Sequence, residues 1–216
     1  MSRRRPSGVL GACGVLISAV LCSLIWATIL GHSSPLRITR PTSSLAPLHA
    51  ALTAMEASPG YRFEAKVTVD RTAEVTATGR VQFPDRVYQQ LSVAGQEPVE
   101  LIFIGGQSWS KSMTGPWTQA SPISGQAELS AAFVALGQVH DGSCAPRRCE
   151  LTATATVART LLPQSTGSII LDARLGNDGT LQTLRYRGEV LDTGTRREVS
   201  VTLHYRPSEQ PVDIPV

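Results

Sequence analysis

Three sets of residues in this 216-residue sequence could do chemistry. The first is Cys144 and Cys149, which flank Ala-Pro-Arg-Arg, with His140 four positions upstream. Such residues have three fates: a disulfide, two free thiols, or part of a His/Cys/Cys metal site. A Pro-containing turn can set two strand ends face to face, and paired thiols outside the cytoplasm most often oxidise, so a disulfide is the expectation. A metal would lack a fourth nearby ligand, and C-x4-C is not a typical zinc-knuckle spacing. The second is Ser108 in Gly106-Gln-Ser-Trp-Ser110, which lacks the second glycine of a G-x-S-x-G elbow and has no helix after it. The third comprises Arg147-Arg148 and Arg196-Arg197, which could meet an anionic headgroup. Against that, Lys66 and Lys111 are the only lysines, so arginine is this chain's usual base.

Little else could react. His32, His49, His140 and His204 are scattered over linker, helix, loop and strand, and His204 falls on the polar side of its strand. Asp70 and Glu74 flank a turn at Arg71. There is no P-loop, dinucleotide fingerprint, HExxH or EF-hand loop. The expectation is a protein that is not an enzyme, with no metal and no cofactor.

The charge has a simple address. Twenty Lys and Arg face seventeen Asp and Glu, and the excess of three is Arg3, Arg4 and Arg5. Residues 32–216 are therefore formally neutral, without the basic footprint of a nucleic-acid-binding surface. A 42% hydrophobic share with charges of both signs excludes a disordered chain. Gly8 to Gly31 is an uncharged run of 24 residues, longer than a signal-peptide core and long enough to cross a ~30 Å hydrocarbon layer as a helix. Gly31, Ser33 and Ser34 at its end leave cleavage open. Leu10-Gly-Ala-Cys13 spells a lipobox, but the apolar run continues past it, so Cys13 and Cys22 read more simply as thiols inside a membrane helix. The three arginines put the N-terminus inside the cell, although Arg37 and Arg40 weaken the bias. The organisation expected is a cytoplasmic tail (1–7), a transmembrane anchor or signal segment (8–31), a Pro/Ser-rich linker (32–44) and one extracytoplasmic domain (45–216).

The periodicity of the domain supplies its elements. Leu48, Ala51, Leu52 and Met55 predict a helix from about Pro47 to Ala57. The period then becomes two. Tyr61, Phe63, Ala65, Val67 and Val69 alternate with polar residues, and strands over 73–83, 86–94, 99–104 and 107–113 follow in an antiparallel meander. In the third strand the set on the apolar side is Val87, Gln89, Leu91 and Val93. Leu129, Ala132, Phe133 and Leu136 predict a second helix over 126–139. Glu150–Val157 reads as a strand, with a short helical or irregular crossing at 158–162. Strand 167–176 leads through the hairpin signal Asn177-Asp-Gly179 into strand 180–190, and 196–206 closes the domain. The fold class is α+β: a strongly curved antiparallel sheet of about 9–11 strands covered by two or three helices, preceded by one transmembrane helix. The apolar side must be buried. Ala65, Ala77, Gly79 and Ala173 put small side chains there, so an apolar cavity and an ordinary filled core both remain open.

Gly79-Arg-Val-Gln-Phe-Pro-Asp-Arg86, the Gly-Gly turn before Gln107-Ser-Trp109, Gly115-Pro-Trp117 and the final Pro211-Val-Asp-Ile-Pro215 occur in an order of elements that resembles the LppX/LprG lipoproteins of the bacterial cell envelope. That family groups with the LolA-like half-barrels, and the resemblance covers about residues 45–216. It implies a sheet curved around helices, with a hydrophobic cavity for acyl chains and no catalytic residues. Carried onto this sequence, the cavity lining becomes Phe63, Val67, Val75, Val81, Leu91, Val93, Leu101 and Phe103, with Phe133 and Leu136 from the helix. The resulting expectation is a membrane-anchored lipid or acyl-chain binding protein or carrier, single-pass in a bacterial cytoplasmic membrane, its domain outside. A protein-binding or sensory ectodomain acting on an envelope partner is the alternative.

Overall fold

Alternation at period two is the strongest local signal in the chain, and in the computed structural model it becomes one open sheet of eleven antiparallel strands. The structure describes residues 44–83, 85–120, 136–162 and 164–211. The strands are β1 (Gly60–Val69), β2 (Thr72–Gln82), β3 (Arg86–Val93), β4 (Val99–Ile104), β5 (Gln107–Ser112), β6 (Thr118–Ala120), β7 (Asp141–Ala145), β8 (Arg148–Ala153), β9 (Ile169–Leu175), β10 (Leu181–Asp192) and β11 (Thr195–Pro207). Their spatial order is β6-β5-β4-β3-β2-β1-β11-β10-β9-β8-β7. The two edges are the short strands β6 and β7, which offer little unpaired backbone for wrong pairing. Register shifts in the β1–β2 and β9–β10 ladders add local bend to this half-barrel.

Side chains of every second residue meet across the sheet in rows. One row runs Cys144, Cys149, Ala173, Leu184, Leu203, Ala65, Ala77, Leu91, Val99, crossing from β7 to β4 without a polar side chain. Helix α1 (Ala46–Ala57) takes Pro47 in its first turn and buries Leu48, Ala51, Leu52 and Met55, the set its spacing predicts. It packs on β9 and β10, and α2 (Ala155–Leu161) packs on β8. The backbone N–H of Cys144 donates to the Ser44 carbonyl at 3.1 Å, tying the start of α1 to the β7 edge.

Two expectations change. The strand foreseen over 150–157 ends at Ala153, and a helix takes over from Ala155. Ala153 and Val157 suit either period. Burial of Val157, Ala158 and Leu161 follows helical spacing instead, and the Ala158 N–H bonds to the Thr154 carbonyl at 2.7 Å. The segment before Cys144, foreseen as loop, is strand β7, because pairing with β8 puts Cys144 directly opposite Cys149. The anchor, the linker up to residue 43, most of the 126–139 helix and residues 212–216 lie outside the described residues.

The turn between β1 and β2 places Asp70 and Arg71 at φ 48° and 69°, the left-handed region that costs a side chain about 1–2 kcal/mol. Asp70 is held there from the neighbouring strand. Its N–H donates to the Glu198 carbonyl at 2.9 Å, and its carboxylate accepts from the Glu198 N–H at 3.1 Å and Arg197 Nη1 at 3.0 Å. Between β9 and β10 the foreseen hairpin is present, with Asp178 Oδ1 accepting from the Thr180 N–H and hydroxyl.

The sulfurs of Cys144 and Cys149 are joined in a disulfide. It closes a loop of sequence separation 5, for which the chain-entropy relation gives about 2 kcal/mol. Replacing both cysteines by serine should lower unfolding stability in urea by about that amount while leaving the far-ultraviolet circular dichroism unchanged.

Candidate functional site: the apolar inner face

Eight of the ten residues proposed to line a cavity come together on the inner face. Phe63, Val67, Val75, Val81, Leu91, Leu101, Phe103 and Leu136 are buried in one continuous hydrophobic cluster, with Val93 half-buried against its border. Phe133 lies outside the described residues. The cluster also takes in residues outside the foreseen lining. Tyr61, Tyr186 and Tyr205 are buried, and Tyr61 meets Tyr205 edge-on with ring centroids 5.5 Å apart. Burial pushes the Tyr61 and Tyr205 phenols well above their ordinary pKa, reinforced by Tyr205 and Tyr186 respectively, so both stay neutral at physiological pH.

The small inward residues do not all leave space. At Gly79 the room is taken by Phe63, whose ring carbon Cζ would lie 2.5 Å from a Cβ built there. Beyond Gly79 in the same row stands Gln89, opposite Gly79 on one side and Leu101 on the other. Its side chain is 0% exposed, and neither Nε2 nor Oε1 has a hydrogen-bond partner. Sequence alternation had put Gln89 on the apolar side without marking it as a site. The signal was there: a single amide at an inward position between Val87 and Leu91.

The foreseen chemical groups are accounted for differently. Cys144 and Cys149 are in the disulfide, and no cluster of three metal-ligating side chains occurs among the described residues. Ser108 is buried on β5. His204 is exposed, its Nδ1 lying 3.1 Å from the Thr183 hydroxyl. Three of the paired arginines have acidic partners: Arg148 with Asp172 and Glu150, Arg196 with Glu189, Arg197 with Asp70 and Asp192. Of the four, only Arg147 has no ion-pair partner among the described residues.

The outer face is mostly polar, with Ile170 and Leu191 as exposed exceptions. One depression of about 370 Å³ contains Arg62, Arg80 and Arg206, which the register places side by side, together with Glu64, Tyr88 and His204. Another, of about 420 Å³, is walled by Arg148, Glu150, Asp172, Arg185 and Arg187. Both are ringed by charged side chains, with Tyr88 in the first and Ile170 in the second as part of the lining. An apolar notch of about 30 Å³ opens between the end of α1 and the strand ends, beside Met55, Tyr61, Leu181 and Tyr205.

No protein-family model matches the sequence, and no curated protein matches it. Among solved structures, the crystal structure of the Mycobacterium tuberculosis lipoprotein LppX is similar in fold. The match has a TM-score of 0.55 and 14% identity, over 78% of this chain and 96% of that one. The chain has an LppX-like fold. This agrees with the half-barrel foreseen from its turns and alternation.

One titratable contact sits where α1 meets the β7 side. Burial first, and the neighbouring His140 second, hold the His49 imidazole below its ordinary pKa. The folded state therefore binds the His49 proton less readily than the unfolded chain. This contribution to stability is full above the unfolded pKa near 6.5 and is lost as pH falls through the lower folded value. The melting temperature of the wild type should therefore fall between pH 7.5 and 5, and His49→Gln should flatten that slope; an unchanged slope would assign the acid sensitivity elsewhere.

Proposed function

We propose that the chain is a membrane-anchored extracytoplasmic protein that binds the acyl chain of a lipid or acylated ligand on the inner face of its half-barrel. One observation carries this reading. The inner face is apolar from β7 to β4, yet α1 and α2 pack on β8 to β10. Among the described residues the main contacts of these helices fall outside β2 to β5, whose inward Val75, Ala77, Val81, Leu91, Leu101 and Phe103 belong to the same buried apolar cluster. An acyl chain suits such a wall because burying each methylene contributes about 0.8 kcal/mol and asks for no directional partner.

Three further features support the compartment. A disulfide persists in an oxidising environment. The uncharged run Gly8–Gly31 follows three arginines, as a single-pass anchor with an inside N-terminus would. LppX, which shares the fold, is a lipoprotein by name. A linker over 32–44, fully extended at about 3.5 Å per residue, would keep the domain within ~45 Å of the bilayer, so ligand exchange would occur close to the membrane surface.

The full chain should be expressed in an actinobacterial or other bacterial host, extracted from membranes and examined by native mass spectrometry. The expected spectrum contains a fraction of protein carrying one mass of acyl-lipid size, released on organic extraction. Repeated recovery of lipid-free protein, with one protein partner cross-linked in stoichiometric amount, would replace this reading with that of a protein-binding ectodomain.

A further inference from the structure

The buried amide of Gln89 has a cost that the fold does not repay. A primary amide removed from water needs partners for two N–H groups and a carbonyl oxygen, and such groups are ordinarily satisfied in folded proteins. Gln89 is 0% exposed, and both Nε2 and Oε1 are without a hydrogen-bond partner. It stands among apolar neighbours: Val87 and Leu91 along β3, Leu101 opposite on β4, and Gly79 opposite on β2 with the Phe63 ring over it. A leucine or methionine of similar volume would fill the place at no such cost.

We infer that Gln89 is a ligand-recognition residue. Its Nε2 donates a hydrogen bond to an uncharged carbonyl, an ester or amide, of the acyl ligand held on the inner face. This rests on the acyl-chain reading above and narrows its ligand class. The charge of the group follows from what surrounds the amide. Among the described residues, apart from the neutral phenols of Tyr61, Tyr186 and Tyr205, the buried polar side chains are those of Gln89, Ser108 and Ser165, with no buried carboxylate or cation. A carboxylate or phosphate brought to Gln89 would lose its hydration without gaining a counter-ion, whereas an ester or amide carbonyl gains the donor it needs at little cost. Oε1 is free to accept from a hydroxyl or amide N–H next to that carbonyl. A hydrocarbon chain alone would leave the amide as unsatisfied as it is now. The residue therefore separates acyl esters and amides from plain alkyl chains, while the apolar wall supplies most of the affinity.

The experiment compares dioleoylglycerol with its dioleyl ether analogue, which has the same chains and hydroxyl but no carbonyls. Binding of each to delipidated full-length protein in detergent is measured by displacement of a fluorescent acyl probe. Wild type should prefer the ester by about tenfold, the size of one hydrogen bond to an otherwise unsatisfied buried group. Gln89→Met should bring the ratio to about one, leave ether binding unchanged and raise the melting temperature of the ligand-free protein. Equal binding of both lipids by the wild type, a measurement that needs no variant, overturns the role of Gln89 and leaves the acyl-chain reading standing. So does an ester preference that survives in Gln89→Met. Failure of both lipids to displace the probe from wild type overturns the acyl-chain reading and this assignment with it.

Discussion

The pairing of β1 with β11 is the contact on which the rest of the molecule depends. Nine residues, Tyr61 to Val69, run in unbroken register against Val199 to Pro207, strands at opposite ends of the domain. Without it there would be two meanders, β1 to β6 and β7 to β11, each with an apolar face to hide. With it they form one sheet, and the row from Cys144 to Val99 becomes continuous. The loop-closure entropy of joining such distant segments rises only slowly with length, so a long ladder of well-packed pairs can offset it. Asp70 fastens the far end of this seam by bonding to the backbone of Glu198 and the guanidinium of Arg197.

Joining the two halves also fixes where polarity can go. One side of the sheet carries the arginines, acids and threonines, and its ion pairs, most of them joining neighbouring strands and all at least partly exposed, contribute little stability. The other side is nearly all aliphatic and aromatic. Against that background the tyrosine cluster and Gln89 stand apart. The tyrosines place large rings inside while remaining uncharged. Gln89 adds a hydrogen-bonding group to the β2–β5 wall, where neither α1 nor α2 makes its main contacts. A sheet built only for stability would have placed an aliphatic side chain there.

Much of the fold was legible in the sequence. Helix α1, the faces of the β1 to β5 residues and the β9–β10 hairpin follow from patterns only a few residues long. The errors came where two patterns overlap. Ala153 and Val157 fit strand and helix equally, and the short β7 has too few side chains to declare a period. The inward burial of the candidate residues was legible in part. Eight of the ten foreseen lining residues are buried together, because alternation assigns a face reliably once strand direction is known. Whether Gly79 leaves space was not readable, because it depends on the Phe63 ring from the adjacent strand.

The amino-acid sequence by itself determined which residues turn inward, that the body of the chain is neutral, and that it contains no P-loop, dinucleotide fingerprint, HExxH or EF-hand loop. Those properties are local or additive, and need no knowledge of neighbours in space. Only the tertiary structure decided which strands adjoin, that Cys144 faces Cys149 across a hairpin, that Arg148, Arg196 and Arg197 are occupied by acids, and that the Gln89 amide is sealed from water without a partner. Each depends on the pairing of segments distant in sequence, or on packing between side chains, and a period of two specifies a face without naming what lies beside it.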